Sequence, residues 1–280
     1  MMTSGLFVGF TMASATLAAA CFNPAPLGSC SAPCPEGFVC SPQGVCVAAE
    51  VPPDVPIDVP GDVPIDVSSD APLDAPAGWS LVQTAGADSR MNTSLSVTPL
   101  GAGHLIVVAV LVLGNESVTI TDDSRCNSYV PIPNGRAACH TFVGEMQLFY
   151  VERSCAGASR IDVSPVGMFL AAVVWEVSGI RDRDALDTAG VVVDGKGLAP
   201  LGPPITTSTD GEFVVSAVAM ETKARGIHGG NEFTNDQLTF GNGWAHLTDP
   251  HAKAGQHVAQ WDQDSDGTYC GAGAAFRAAP

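Results

Sequence analysis

Leu105-Ile106-Val107-Val108-Ala109-Val110-Leu111-Val112-Leu113 runs through nine aliphatic residues without a polar interruption. Hydrophobicity alone would admit a buried helix. The run is short, four of its nine residues are valine, and Gly103 and Gly114 bound it, which together specify a buried strand. Phe169 to Val174, continuing through Trp175 and Val177, reads the same way, as does Glu212-Phe213-Val214-Val215-Ser216-Ala217-Val218. Other segments alternate with the period of a half-buried strand: Val118-Thr119-Ile120-Thr121, Arg160-Ile161-Asp162-Val163-Ser164 and Gln256-His257-Val258-Ala259-Gln260-Trp261. Turn residues punctuate them at Gly114-Asn115, Asp122-Asp123, Ala156-Gly157, Asp194-Gly195 and Asp210-Gly211. No segment carries a convincing amphipathic helical pattern. Residues 79–280 are therefore predicted to be all-β, a double-sheet β-sandwich of jelly-roll-like form and one undivided domain.

What precedes this domain divides by composition. Leu6 to Leu17 is apolar apart from Gly9, Thr11, Ser14 and Thr16, too short to span a bilayer and placed where an export signal stands, so 1–20 reads as a signal peptide. Leu17-Ala18-Ala19-Ala20-Cys21 resembles the lipobox of bacterial lipoproteins. That resemblance implies a lipid on Cys21, which would become the mature N-terminus. Ala18-Ala19-Ala20 also satisfies an A-x-A cleavage site, the alternative being simple secretion. Cysteine parity favours the lipid. Of nine cysteines, Cys30, Cys34, Cys40 and Cys46 crowd together, Cys126, Cys139, Cys155 and Cys270 are spread through the C-terminal part, and Cys21 is the odd one. Two even sets suit disulfides formed outside the cytoplasm.

The module 21–47 is too small to bury a core, so disulfides must order it. Its C-x3-C-x5-C-x5-C spacing lacks paired C-x2-C hooks and has no histidine nearby, which argues against zinc. An interleaved pairing is expected, Cys30 with Cys40 and Cys34 with Cys46. The linker 48–78 repeats Asp54, Asp58, Asp62, Asp66, Asp70 and Asp74 among prolines 53, 56, 60, 64, 72 and 76. The prolines deny a helix its donors, so a disordered, charge-stiffened polyproline II spacer is predicted. In the C-terminal domain, Cys126 and Cys139 bracket Pro131 and Pro133 and are expected to pair, leaving Cys155 with Cys270.

Gly103-His104-Leu105-Ile106-Val107-Val108-Ala109, Val118-Thr119-Ile120-Thr121-Asp122-Asp123-Ser124 with Asn127-Ser128-Tyr129, Met146-Gln147-Leu148-Phe149-Tyr150, Val174-Trp175-Glu176-Val177-Ser178-Gly179 and Leu186-Asp187 resemble short motifs of β-sandwich domains in secreted bacterial proteins. The whole layout is similar to lipoproteins of myxobacteria and their relatives. The resemblance implies architecture and placement on the outer membrane or cell surface, without a chemistry. Cys126 stands where those domains have Gly, implying an additional disulfide.

Motifs that carry chemistry are few. Gly190-Val191-Val192-Val193-Asp194-Gly195-Lys196 imitates a phosphate-binding loop, but Gly197 follows instead of Ser or Thr, so no nucleotide is expected. Neither G-x-S-x-G nor H-E-x-x-H occurs. His246, His251 and His257, near Trp244 and Trp261, share no strand face and read as scattered loop histidines. Asp262-Gln263-Asp264-Ser265-Asp266-Gly267 matches the front half of a calcium loop, while the twelfth position is Gly273. A weak calcium site on Asp262, Asp264 and Asp266, completed by carbonyls, is one reading and a solvated turn the other. The net charge is −17, of which −8 precedes residue 78 and −9 follows it, which repels nucleic acid. The expectation is a cell-surface lipoprotein displaying a non-enzymatic sandwich that binds extracellular glycan or protein; the alternative is a hydrolase acting on extracellular polysaccharide.

Overall fold

The computed structural model describes residues 38–40, 46–48, 78–89, 93–114, 117–139, 144–165, 170–237 and 241–280. The chain divides into two compact units, Met1–Val67 and Ser68–Pro280. In the first, β1 (Phe38–Cys40) and β2 (Cys46–Ala48) form an antiparallel pair with Cys40 opposite Cys46. The signal, Cys21, the pairings of Cys30 and Cys34, and the Asp/Pro spacer lie outside the described residues.

The second unit is built of strands. β3 (Ser80–Ser89), β5 (Leu105–Leu113), β7 (Val130–Cys139), β8 (Gly144–Val151) and β10 (Leu170–Ser178) make a five-stranded antiparallel sheet in the order β3-β10-β5-β8-β7. β11 (Leu186–Gly197), β13 (Phe213–Met220), β15 (Phe233–Gln237), β16 (Gly243–Leu247) and β19 (Gly267–Phe276) make another, ordered β11-β19-β13-β16-β15. The two sheets pack face to face, with β11 over β7 and β15 over β3. Leu105, Val107, Ala109, Leu111, Val173 and Trp175 of the first sheet meet Phe213, Val215, Trp244, Ala272 and Phe276 of the second in one buried cluster.

Each sheet is also covered on its outer side. Over the first lies a three-stranded sheet of β4 (Thr93–Ser96), β9 (Arg160–Pro165) and β6 (Val118–Asp122), in that order, with Leu95, Ile161 and Val163 packed against Ile106, Val108 and Val110. Over the second lie two short ladders, β12 (Ile205–Thr206) with β17 (Gln256–His257) and β14 (Ala224–Ile227) with β18 (Trp261–Gln263). Ile205, Ala224 and Trp261 from these ladders pack on Val214, Val218 and Ala245. Four layers explain why β5 and β13 show no alternation: odd and even residues each enter a different core, so neither face is left to be polar.

The predicted jelly-roll-like sandwich is present twice. From Ser80 to Ser178, the first, eighth, third, sixth and fifth strands form the inner sheet and the second, seventh and fourth form the cover. From Leu186 to Phe276 the same order recurs, with the seventh strand split into β17 and β18. That is why Gln256 to Trp261, expected as one alternating strand, is interrupted. The duplication leaves a trace in sequence: Gly103-His104-Leu105-Ile106-Val107-Val108-Ala109-Val110 aligns with Gly211-Glu212-Phe213-Val214-Val215-Ser216-Ala217-Val218. Both leading glycines take left-handed φ values, 76° and 73°, which a side chain would strain. The halves stack back to back through their inner sheets, related by an approximate two-fold arrangement.

All four cysteines of this unit are paired, with a connectivity that corrects the expectation. Cys126 bonds Cys155 and Cys139 bonds Cys270, with Cα separations of 6.2 and 5.4 Å. Pro131 and Pro133 do not turn the chain. They lie in β7, at a sheet edge that tolerates missing donors, and the strand runs from opposite Tyr150 to opposite Gly144, carrying Cys139 roughly 20 Å from its start at ~3.3 Å per residue. Cys126 and Cys139 therefore cannot meet. These disulfides place the folded protein outside the reducing cytoplasm. Among the described residues no helix is long and apolar enough to cross a membrane.

Candidate functional site

The residues singled out by sequence do not converge. Asp262 sits at the β14–β18 ladder with its Oδ1 2.9 Å from His228 Nδ1, Asp264 is paired with Arg225, and Asp266 is exposed in the turn before β19. Two of the three carboxylates thus already face a neighbouring side chain. Among the described residues no group of three His, Cys, Asp or Glu is placed to hold a metal ion. Gly190 to Lys196 lies in the edge strand β11, where its backbone enters a ladder with β19 instead of curling around a phosphate.

The histidines depart from the loop reading. His246 is buried on β16 and His257 is buried on β17; His251 alone is in an exposed turn. His246 Nδ1 lies 2.8 Å from Asp236 Oδ1, whose other oxygen accepts the Trp175 indole N–H at 2.7 Å. The His246 ring stacks edge-on to Trp79 with centroids 5.8 Å apart. His257 Nδ1 is 3.0 Å from Glu232 Oε1, and its Nε2 is 3.4 Å from Thr207 Oγ1. Thr207 Oγ1 in turn accepts from the Gly255 N–H at 3.1 Å, so this chain ties β12 to β17.

The motif around Asp122 proves to be a loop-building device. Its buried carboxylate accepts from Ser124 Oγ at 2.6 Å, Arg125 N at 2.9 Å, Asn127 Nδ2 at 2.6 Å and Tyr129 Oη at 3.0 Å. Burial alone would raise the pKa of Asp122, but these donors outweigh it and hold the group below its ordinary 3.8. Burial and the facing Asp122 push the Tyr129 phenol far above its ordinary range. Asn127 Oδ1 also accepts from Cys155 N at 2.7 Å, so the hydrogen bonds and the Cys126–Cys155 bridge hold the same loop.

Each half also pins the loop before its third strand with buried carboxylates. In the first, Glu176 accepts from Gly101 N at 2.7 Å and Gln83 Nε2 at 2.5 Å, with His104 Nδ1 at 2.7 Å. In the second, Glu212 accepts from Thr209 N at 2.8 Å and Thr209 Oγ1 at 2.9 Å, while Asp187 accepts from Ser208 N at 2.9 Å and pairs with Arg277. Burial raises Glu212, the Thr209 donors oppose it, and the Asp187 carboxylate adds to the rise. Asp187 itself lies below its ordinary value, because Ser208 and Arg277 overcome its burial.

The most site-like surface lies on the outer face of the first inner sheet, beside its cover. Ser117 and Val118 form one wall of a groove of about 280 Å³, Pro131, Ile132 and Gly135 the other, and Arg136, Gln147 and Phe149 the floor. Arg136 Nε and Nη2 grip the Glu145 carboxylate at 2.8 and 2.7 Å, and Gln147 Nε2 donates to it at 2.9 Å. Hydrogen bonding to Glu145 raises the Arg136 pKa still further, so the guanidinium stays charged. The Arg136 side chain is 62% exposed and that of Glu145 only 7%, so a buried acid holds an accessible cation in place. The β7–β8 register breaks between Pro131 and Arg136, with Asn134 at φ 58°, and this bulge forms the groove wall.

The same place in the second half is filled. Val110 pairs with Gln147 and Val218 pairs with Gly243; since β5 and β13 are equivalent strands, Gly243 stands where Gln147 does. A Cβ on Gly243 would run into the Trp261 indole, which lies directly over it. Trp261 is fully buried. One half therefore carries an open groove with a polar floor, and the other carries a tryptophan seated on a glycine.

Sequence reasoning missed Arg136, Glu145 and Gln147 as a group. The available signal was Glu145 and Gln147 at alternate positions of Gly144-Glu145-Met146-Gln147-Leu148-Phe149, polar residues on a face that Phe149 and Val151 continue as apolar. No protein-family model, no curated protein and no solved structure matches the chain.

Proposed function

We propose that the chain is an exported, lipid-anchored surface protein whose double jelly roll binds an extracellular glycan or protein without turning it over. The observation that carries this reading is the difference between the halves: the first leaves its groove open over a hydrogen-bonded Arg136–Glu145–Gln147 floor, and the second fills the equivalent place with Trp261. Open polar surface beside an ordered bulge is where binding sites on rigid sheets are found. Cys21 would carry the lipid and residues 48–78 would hold the domain away from the membrane. The protein's acidity suits a partner other than nucleic acid.

A hydrolase would draw on Asp187 and Glu212, the carboxyl pair with opposed pKa displacements. Ser208 and Arg277 engage both oxygens of Asp187, and Ser208 and Thr209 engage Glu212 through Oε1 alone, while Glu212 Oε2 is buried away from solvent, which suits a loop clamp better than an acid and its partner. The test is a glycan array probed with the exported protein, run beside a reducing-end assay on each glycan retained. Retention without release of reducing ends is expected. Release that disappears in Asp187→Asn would replace the binding reading with the hydrolase. The anchor is tested separately: Cys21→Ser should abolish incorporation of labelled fatty acid, and unchanged incorporation would leave simple secretion.

A further inference from the structure

Resting on the binding reading above, we infer that the groove seats a single neutral, hydroxylated ring, one pyranose unit of a neutral extracellular polysaccharide, with Arg136 and Gln147 as its polar contacts. Three observations converge on this class of ligand. The first is size. At about 280 Å³ the groove falls just below the ~300–1,000 Å³ of drug-sized pockets, which leaves room for one ring and not for a folded peptide segment.

The second is charge. Arg136 is the only basic residue in the lining, and Glu145 grips it through two bonds, so the pair presents no net charge. A carboxylated or sulfated sugar would need an uncompensated cation and would meet a domain of charge −9. What Arg136 does offer is its remaining outward N–H donors, fixed by the grip of Glu145. Gln147 gives one amide hydrogen to Glu145 and keeps a carbonyl for a hydroxyl donor. Pro131 on the rim, with the edge of the largely buried Phe149 beneath it, supplies the apolar surface for the C–H face of a sugar ring.

The third is the filled counterpart. Over Gly243 the duplicated fold accommodates a flat ring body bearing one N–H, the Trp261 indole, in the place corresponding to Gln147. This face of the inner sheet thus accommodates a ring where Gly243 lies beneath it. In the first half Gln147 and Arg136 take that place, so a ring seated in the groove above them meets a polar floor.

The test is titration calorimetry of the full exported protein with cellohexaose, laminarihexaose and chitohexaose, with an oligogalacturonate of equal length as the acidic probe. At least one neutral hexasaccharide should bind and the acidic one should not. Arg136→Ala should weaken that binding roughly tenfold, the cost of one hydrogen bond to a charged group. Because that variant also strips Glu145 of its partner, Ser117→Trp on the rim provides a second arm: it leaves the Arg136–Glu145 pair intact and should block the groove. Binding of the acidic probe, lost in Ser117→Trp, would overturn the neutral-ring assignment and leave the binding reading standing. Neutral binding unchanged in both variants would overturn the groove and again leave that reading. Absence of binding to every probe and to the array would overturn both the groove assignment and the glycan arm of that reading, leaving a protein partner.

Discussion

The two seams along which the jelly rolls meet are equivalent in topology and closed by opposite chemistry. Where β7 lies against β11 and β19, the seam is apolar and covalent: Cys139 bonds Cys270, and Tyr150 packs on Phe276 with ring centroids 5.8 Å apart. Where β15 and β16 lie against β3 and β10, the seam is polar: Asp236 bridges the Trp175 indole and His246. Val107 pairs with Tyr150 and Val215 pairs with His246, so these two side chains occupy equivalent places. A duplicated fold inherits two copies of one contact, and each copy is then free to be held by a different bond. The covalent seam depends on an oxidising compartment, whereas the polar one depends on an acceptor buried deep enough to exclude water.

The comparison breaks most directly at the disulfides. Cys139→Ser with Cys270→Ser should cost about 5 kcal/mol in the chain-entropy model, because the bridge closes a loop of 131 residues. Cys126→Ser with Cys155→Ser, which opens only a 29-residue loop, should cost about 3.5 kcal/mol. Guanidinium unfolding of both variants checks the order; a larger loss at Cys126–Cys155 would mean that the seam is held without its bridge.

Trp261→Ala sharpens the contrast between the grooves. Removing a fully buried indole should cost about 3–5 kcal/mol and open a cavity over Gly243. A loss below 1 kcal/mol would mean that the second groove is not closed by this ring.

At the polar seam, Asp236→Ala should cost about 3 kcal/mol, since it strands the Trp175 N–H and the His246 ring together. Trp175→Phe keeps the packing and drops one bond, and should cost about 1.5 kcal/mol. Equal effects from the two, read from urea midpoints, would show that packing and not hydrogen bonding closes this seam.

The smallest effects distinguish the carboxylates by pH. Asp122 has a folded pKa below its ordinary 3.8, so its stabilisation is present above that value and is lost as pH falls through the lower folded pKa. Glu212 has a folded pKa above its ordinary 4.5, so its charge opposes folding at neutral pH and that penalty fades as pH falls toward 4.5. Asp122→Asn should therefore lower the melting temperature at pH 7, with the gap closing below pH 4. Glu212→Gln should raise it at pH 7, with the gain shrinking toward pH 4.5. Melting curves across that range check both signs, and a Glu212→Gln variant that melts lower at pH 7 would overturn the second.

Much of the fold was legible because strands announce themselves locally. Leu105 to Leu113 and Phe213 to Val218 are too apolar for surface strands and too short for buried helices, and Gly103 and Gly211 mark where each begins. The alternation at Arg160 to Ser164 was read correctly as a strand, and the structure adds that it belongs to a covering sheet. The expected pairing of Cys126 with Cys139 failed because two prolines look like a turn in sequence, and only an edge position lets them lie in a strand. The groove went unread for a related reason. Arg136 and Gln147 are opposite each other only through the β7–β8 register, which the bulge at Pro131 shifts.

By itself the sequence determined the all-β class, the oxidised state of Cys126, Cys139, Cys155 and Cys270, and the strands that must be buried on both faces. These follow from side-chain period, branching and turn chemistry, which act over a few residues. The tertiary structure alone decided that the sandwich occurs twice, which cysteines meet, that His246 is buried against Asp236, and that one groove is open while Trp261 fills the other. Those outcomes depend on strand register and on which faces oppose, set by contacts between residues as distant in sequence as Cys139 and Cys270. Period and propensity carry no information about such partners.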